Sequence, residues 1–154
     1  MNRIAKTVWC ILALVVAIVV GACGLLAKGP PTTRLSAIEV IAEPGANRNS
    51  ATALDVVFVY DTAVMELLPK TGPAWFQGKA ALRTVSPRAF DVVELQLPPA
   101  YALKVALPKR SQHALRVMAY ANYIAEEGQV ALNLTDAKHA LIRLKPAAIE
   151  YRDE

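Results

Sequence analysis

The chain has 154 residues, 55% of them hydrophobic and 19% charged, and its formal net charge is +4. This length fits one folded domain with an appendage. Because the positive charge is not gathered in an arginine-rich run with interleaved aromatic residues, we predict no nucleic-acid partner.

The N-terminal segment has the pattern of an export signal helix. Arg3 and Lys6 precede an apolar run in which no residue from Thr7 to Ala27 is charged, as in export signals. The run contains Val20-Gly21-Ala22-Cys23, an aliphatic residue, two small residues and a cysteine, which resembles the lipobox of bacterial lipoproteins. This resemblance predicts that residues 1–22 are a cleaved lipoprotein signal peptide and that the thiol of Cys23 is acylated.

Two alternatives remain for this segment: an uncleaved transmembrane anchor, since about 20 apolar residues suffice to span a bilayer, and a plain secretion signal. All three interpretations place the residues after 28 outside the cytoplasm. Lipoproteins kept on the inner membrane often carry Asp after the cysteine, whereas this chain has Gly24. The lipobox resemblance therefore implies a protein on the periplasmic face of the outer membrane, held by acyl chains in the lipid.

Loss of residues 1–22, with their two basic side chains, would lower the net charge from +4 to +2. Of the two cysteines only Cys23 would remain, so we expect no disulfide even in an oxidising compartment. Glycine and proline follow Lys28, which predicts a lipidated tether at residues 23–35. Residues 36–154 are predicted to form one domain, large enough to bury a hydrophobic core.

The first part of this domain consists of two predicted strands joined by a turn-rich loop. Ala37 to Glu43 and Leu54 to Tyr60 are the strands, and the second, which is apolar and β-branched, suits a buried central position. Between them, Pro44 to Ser50 is dense in turn formers and predicts a loop. Its polar tip, Asn47-Arg48-Asn49, either is solvated or contacts a partner, since loops on rigid β scaffolds often carry function.

A helical insertion is predicted between residues 62 and 84. Ala63 to Leu68 suits a short helix that stops before a proline, and Thr71 is placed to cap a second helix whose first turn contains a proline. Trp75 and Phe76 fall in the body of the second helix. They either pack the helix on the sheet or project as part of a binding surface, where aromatic residues are enriched.

Six further segments have the composition of short strands, and clusters of turn formers separate them: Phe90 to Leu97, Tyr101 to Leu107, His113 to Tyr123, Val130 to Leu134, Ala140 to Leu144 and Ala147 to Tyr151. The second of these is predicted to pair with the first across the Pro98-Pro99 corner or to extend the sheet. Eight or so short strands spaced in this way favour a mainly β fold, a two-sheet sandwich. Each sheet of such a sandwich buries one face.

The sequence offers no constellation of catalytic residues. His113 and His139 are 26 residues apart, each beside a predicted turn, so we predict that they face solvent rather than bind a metal. No serine lies in a Gly-x-Ser-x-Gly elbow. We therefore predict that the protein is not an enzyme and has no catalytic residue, no metal site and no cofactor.

The order of these elements resembles that of the outer-membrane lipoprotein of the type VI secretion system, the TssJ or SciN-like family. Val56 to Asp61 resembles the valine-rich strand of the family, and Trp75 to Leu82 resembles its helical insertion. Val93 to Pro99 and His113 to Tyr123 resemble later strands, and the last two predicted strands resemble the terminal pair. The chain departs from the family at Asp61-Thr62, where many members have Gln-Leu.

The family resemblance implies a transthyretin-like β-sandwich that links the secretion complex to the outer membrane. The implied partner is the periplasmic region of the large inner-membrane component. The implied contact is the loop between the first two strands, so that Asn47, Arg48 and Asn49 are the predicted partner-binding residues. Two other functions remain open: binding of a small ligand or cell-wall component, and a pilotin-like role in assembly.

Overall fold

A computed structural model of the chain describes residues 31–154. The predicted signal helix and signal peptide (residues 1–22), Cys23 and most of the predicted tether lie outside the described residues. At the described end of that tether, Thr33 and Leu35 are buried, and the N–H of Thr33 donates to the carbonyl of Ala114 at 2.7 Å. These residues therefore pack as part of the domain. Within residues 31–154, no helix is both long and apolar enough to span a bilayer.

The described chain contains eight strands: β1 (Ala37–Ala42), β2 (Thr52–Val59), β3 (Phe90–Leu97), β4 (Tyr101–Lys104), β5 (Arg116–Ala121), β6 (Leu132–Asn133), β7 (His139–Leu144) and β8 (Ile149–Asp153). They form two four-stranded sheets, with the order β4-β1-β7-β8 in the first and β3-β2-β5-β6 in the second. Only β1 and β7 run parallel; the other neighbours are antiparallel. The predicted mainly β, two-sheet sandwich with a short helical insertion is confirmed.

One predicted strand pairing is wrong. The strands on either side of the Pro98-Pro99 corner do not form a hairpin, because β3 lies in the second sheet and β4 lies in the first. β4 pairs with β1 instead, with Tyr101 opposite Ala42. The corner ends in Ala100, whose φ is 57°, and proline supplies no N–H for a ladder across the turn. The chain therefore changes sheets at this point.

β2 is the central strand, and both its faces are buried. Leu54, Val56 and Phe58 point into the main core between the two sheets. Val57 and Val59 point the other way, into a second core under the helical insertion. This explains why the sequence of β2 is almost continuously apolar instead of alternating.

The insertion covers the outer face of the second sheet with helices α1 (Thr62–Leu67) and α2 (Gly72–Val85). Trp75 of α2 is 1% exposed, and its ring stacks on that of Tyr120 with centroids 4.9 Å apart. It also meets the ring of Phe90 edge-on at 6.0 Å, a favourable arrangement of aromatic quadrupoles. Phe76 is partly buried against the same cluster. Packing of the helix on the sheet by these two aromatic residues is thus confirmed.

Candidate functional site

The sandwich has two ends that differ in construction. At the N-terminal end the chain enters the domain, and β1, β5 and β7 begin. At the opposite end, which we call the loop end, these three strands finish. The loop end is built from residues 43–51, the corner 98–100, the segment 122–125 and the β7–β8 turn 145–148. It contains the predicted partner-binding loop.

A left-handed turn occupies the tip of that loop. Asn47, Arg48 and Asn49 have φ of 49°, 53° and 63° within a single helical turn at Ala46–Asn49. Left-handed backbone costs roughly 1–2 kcal/mol for an ordinary residue and less for asparagine. The fourth non-glycine residue with positive φ in residues 31–154 is Ala100, which also lies at the loop end. Backbone strain in the described chain is therefore concentrated at this end.

The inward-facing side chain of Asn47 holds the left-handed turn in place. Its side chain is 2% exposed, its Nδ2 donates to the carbonyl of Asn122 at 3.3 Å, and its Oδ1 accepts from the N–H of Ile124 at 2.8 Å. The backbone N–H groups of Asn47 and Arg48 donate to the carbonyls of Lys145 and Pro146, each at 3.0 Å. The turn is thus bound to two other loops at once.

Tyr123 joins those two loops to each other. Its ring is buried, and its hydroxyl donates to the carbonyl of Lys145 at 2.9 Å. Burial raises the pKa of Tyr123 to about 12, so this hydroxyl keeps its proton and its donor role at neutral pH. Gly128 makes room for the ring, since a Cβ at that position would lie 2.2 Å from it. The segment after β5 and the β7–β8 turn are therefore fixed relative to each other.

The three predicted partner-binding residues differ in their environments. Asn47 faces inward, whereas Arg48 and Asn49 are exposed. Within residues 31–154, Arg48 takes part in no ion pair. The other two cations of this end are paired, Arg143 with Glu43 at 3.3 Å and Lys145 with Glu150 at 2.7 Å.

Sequence reasoning missed two exposed apolar residues at the loop end. The side chain of Ile124 is 53% exposed and that of Tyr101 is 48% exposed. Ile124 lies directly beside the left-handed turn, because its N–H is held by the side chain of Asn47. No sequence signal separates these residues from core residues, since Ile and Tyr are also common in the strands on either side.

A buried polar network joins α2 to the second sheet. The carboxylate of Asp55, on β2, is 2% exposed and accepts from Trp75 Nε1 and Lys79 Nζ, both at 2.8 Å. Burial alone would lower the pKa of Lys79, but hydrogen bonding and charge from Asp55, with Glu94, raise it overall. The sequence alone does not single out Asp55, because one Asp within an apolar strand forms no recognisable motif. All its contacts are internal, so its role is to hold the helix.

Another cluster locks the N-terminal end. The guanidinium of Arg110 donates to both carboxylate oxygens of Asp91 at 2.9 Å and lies 3.9 Å from the ring centroid of Tyr60. The hydroxyl of Tyr60 donates to Asp91 at 2.8 Å. Burial, and then the neighbouring carboxylate, raise the pKa of Tyr60. The hydrogen bonds from Arg110 lower the pKa of Asp91.

No cluster of metal-binding side chains appears in the described part of the chain. Residues 31–154 contain no group of three or more His, Cys, Asp or Glu placed to hold a metal ion, and both His113 and His139 are exposed. An apolar concavity of about 350 Å³ forms a groove between α1 and α2. Lys79 is the only charged side chain that lines it, and that lysine is already bonded to Asp55.

Neither a protein-family model nor a curated protein matches the chain. Among solved structures, the T6SS lipoprotein TssJ1 from Pseudomonas aeruginosa matches with a TM-score of 0.59 and 15% identity, over 80% of this chain and 98% of that one. Lip from Serratia marcescens, a membrane-bound component of the Type VI Secretion System, matches with a TM-score of 0.51 and 13% identity, over 80% and 98%.

A chain in the structure of the T6SS protein TssM C-terminal domain from EAEC also matches, with a TM-score of 0.54, 13% identity, and coverage of 75% of this chain and 98% of that one. At such identities the likeness is one of fold. The described domain therefore has the fold of the T6SS lipoprotein TssJ, which is the fold that the family resemblance predicts.

Proposed function

We propose that this protein is the lipid-anchored component of a type VI secretion membrane complex and that it binds the periplasmic domain of an inner-membrane component. The observation that carries the proposal is the shared fold, which extends over 98% of both TssJ1 and Lip. TssJ1 is a T6SS lipoprotein, and Lip is a membrane-bound component of the Type VI Secretion System. The lipobox-like Val20-Gly21-Ala22-Cys23 of this chain agrees with the same role.

In this proposal residues 1–22 are removed, residues 23–35 form the lipidated tether, the last residues of which pack on the domain, and residues 36–154 form the periplasmic domain. Only seven residues lie between Cys23 and Pro31, and the eight residue steps from one to the other reach at most about 29 Å when fully extended. The domain is then confined close to the outer membrane. The acyl chains on Cys23 give an attachment that does not depend on any protein contact.

The mechanism is mechanical and needs no catalysis. Acyl chains fix the N-terminal end to lipid, and the loop end, on the far side of the sandwich, binds the inner-membrane component. Several lipid-anchored copies that face one multimeric partner bind more tightly than one copy does, because each later contact forms at a high effective concentration. A rigid sandwich between the two attachments transmits position from one membrane to the other.

The test is co-purification from detergent-solubilised envelopes of the native bacterium. The wild-type chain is compared with a loop variant in which Asn47, Arg48 and Asn49 are all Ala, and with a control variant, Arg88→Ala, at the N-terminal end. We expect the wild type and the control to retain a large inner-membrane secretion protein and the loop variant to lose it. Absence of such a protein from the wild-type sample would overturn the proposed function.

A further inference from the structure

The groove between α1 and α2 has two exposed apolar side chains at its rim. Leu67, at the end of α1, lines the groove together with Ala81, Leu82 and Val85 of α2. The side chains of Leu67 and Val85, which we call the groove rim, are 65% and 80% exposed, the two largest exposed fractions among the large hydrophobic side chains of residues 31–154. Such side chains beside an apolar groove indicate a surface that another apolar molecule covers.

Val85 lies at the end of the sandwich where the chain enters the domain. Leu115, next to the residue that binds Thr33, donates its N–H to the carbonyl of Val59 at 2.7 Å. Val59, at the end of β2, pairs with Phe90 at the start of β3, and only four residues connect Val85 to that strand. The exposed end of α2 and the entry point of the chain therefore belong to the same end of the sandwich.

The tether keeps this end of the domain close to lipid. In the proposed function Cys23 is acylated, and the chain from Cys23 to Pro31 reaches at most about 29 Å. A domain held within this distance meets the lipid surface at a high effective concentration, so a contact too weak to bind a membrane alone is sufficient. β2, with eight residues, separates the N-terminal end from the loop end by about 26 Å. The loop end is therefore free for a protein partner when Val85 contacts lipid.

The charged side chains next to the groove are neutralised within the domain. Lys79, the one charged residue of the lining in the described chain, donates to Asp55 at 2.8 Å. Arg83 donates to Glu94 at 3.1 Å, and Glu66 lines a different concavity, between α1 and β5. A groove lined in this way suits the hydrocarbon of lipid, whereas a charged patch of a protein would lack a partner for its charges there.

From this arrangement we infer that the groove rim is a lipid-contact surface, in which Leu67 and Val85 enter the acyl-chain region of the phospholipid leaflet that holds the anchor. The inference rests on the proposed function for that anchor. It adds a second, non-covalent attachment, and the two attachments together orient the sandwich with its loop end towards the periplasm. A short flexible tether alone would hold the domain near the membrane without fixing which side faces it.

The experiment places a fluorescent label on the lipidated chain. The mature protein is purified in detergent, labelled at one introduced cysteine with an environment-sensitive dye, and reconstituted into vesicles of phosphatidylethanolamine and phosphatidylglycerol. The introduced thiol is the only free one in the proposed mature chain, because Cys10 is removed with the signal peptide and Cys23 is acylated. Part of the lipid carries a nitroxide on its acyl chains, which quenches a dye that enters the bilayer.

The labels at Leu67→Cys and Val85→Cys should emit at shorter wavelength in vesicles and lose about half of their fluorescence to the nitroxide. The matched control is Ile124→Cys at the loop end, since that side chain is also aliphatic and is 53% exposed. Its emission should remain that of a dye in water. Because the same dye is used at both ends, attraction of the dye itself to lipid would affect the control equally.

A second pair of variants tests the native side chains. The label is placed at Ala81→Cys, an exposed position in the groove. In that background Val85→Glu should reduce quenching by about threefold or more, because an ionised carboxylate resists entry into hydrocarbon. Ile124→Glu, in the same background, should leave quenching unchanged. Both substituted side chains are more than half exposed, so we expect the thermal unfolding of both variants to match that of the wild type.

The two proposals fail in different ways. If the purified chain carries no acyl group by mass spectrometry, or does not float with the vesicles, the proposed lipid anchor is wrong and the inference falls with it. If the acylated chain floats but the labels at Val85 and Ile124 are quenched equally, the anchor stands and the lipid contact is wrong.

Burial of the Val85 label without quenching by the nitroxide would also overturn the inference. Burial that appears only when the periplasmic domain of the inner-membrane component is added would assign the groove to a protein partner. Burial that increases with the number of protein molecules per vesicle would assign it to a second copy of this chain.

Discussion

The two ends of the sandwich are stabilised in different ways. At the N-terminal end, ordinary backbone is held by side chains: Arg110 pairs with Asp91 and stacks on Tyr60. At the loop end, backbone is held mainly by backbone carbonyls and one buried amide, and all four non-glycine residues with positive φ in residues 31–154 lie there. One end thus uses favourable contacts to keep a relaxed chain, and the other uses them to keep a strained one.

This difference indicates where geometry matters. An ion pair at the end of a sheet requires only that its two side chains come into contact, and many backbone conformations allow that contact. A left-handed turn bound to two other loops presents its side chains in one arrangement, which is useful for recognition and has little value for stability.

Removal of the acyl site should have the largest effect, and it concerns only the N-terminal side. Cys23→Ser is expected to abolish incorporation of labelled palmitate and to release the chain from the membrane fraction, while Cys10→Ser, which changes the other cysteine, should leave both unchanged. Binding to the periplasmic partner in solution should be unaffected. Retention of Cys23→Ser in membranes would instead support the uncleaved transmembrane anchor.

Asn47→Ala should destabilise the loop end by about 2 kcal/mol, since the partly buried N–H of Ile124 loses its acceptor and alanine replaces asparagine at a left-handed position. The measurement is chemical denaturation of the full-length chain in detergent. Asn49→Ala is the control at the neighbouring left-handed residue, where no buried hydrogen bond of the side chain is lost, and its cost should be smaller. Equal costs would show that the amide of Asn47 contributes nothing beyond its backbone conformation.

Arg110→Ala should destabilise the N-terminal end by about 1 kcal/mol, because the ion pair is partly solvated and the cation–π contact to Tyr60 is modest at an exposed site. The pKa of Asp91 is lowered in the folded chain, so its contribution is present above the pKa of the unfolded carboxyl and is lost as pH falls through the folded value. The difference between wild type and Arg110→Ala should therefore shrink in acid. A difference that grows as the pH falls below about 4 would contradict this linkage.

Arg48→Gly should have the smallest effect and the opposite sign. Glycine adopts φ near 53° without strain, which offsets its greater loss of backbone entropy on folding, so stability should rise by about 0.5 kcal/mol. The same variant should lose affinity for the partner. Stability that falls with Arg48→Gly would show that the arginine side chain supports the fold, and the contrast between the two ends would then disappear.

Most of the strand pattern follows from local sequence. Period-two and β-branched segments bounded by turn formers predict the eight strands. Pro69 and Pro73 predict the break between the two helices. The proposed export signal and the proposed lipidation of Cys23 also rest only on local sequence order. Trp75 could be expected on the sheet because a large aromatic residue in an amphipathic insertion has few other places to be buried.

Tertiary structure alone decided how these elements meet. Turn formers at residues 44–50 predict a loop, but the left-handed backbone and the inward side chain of Asn47 depend on acceptors and donors 75 or more residues away along the chain. The same is true of the corner before β4, which sends the strand into the opposite sheet. Local sequence determines which residues are apolar, whereas the exposure of Ile124 and the burial of Asp55 depend on what packs above them, and distant parts of the chain supply those neighbours.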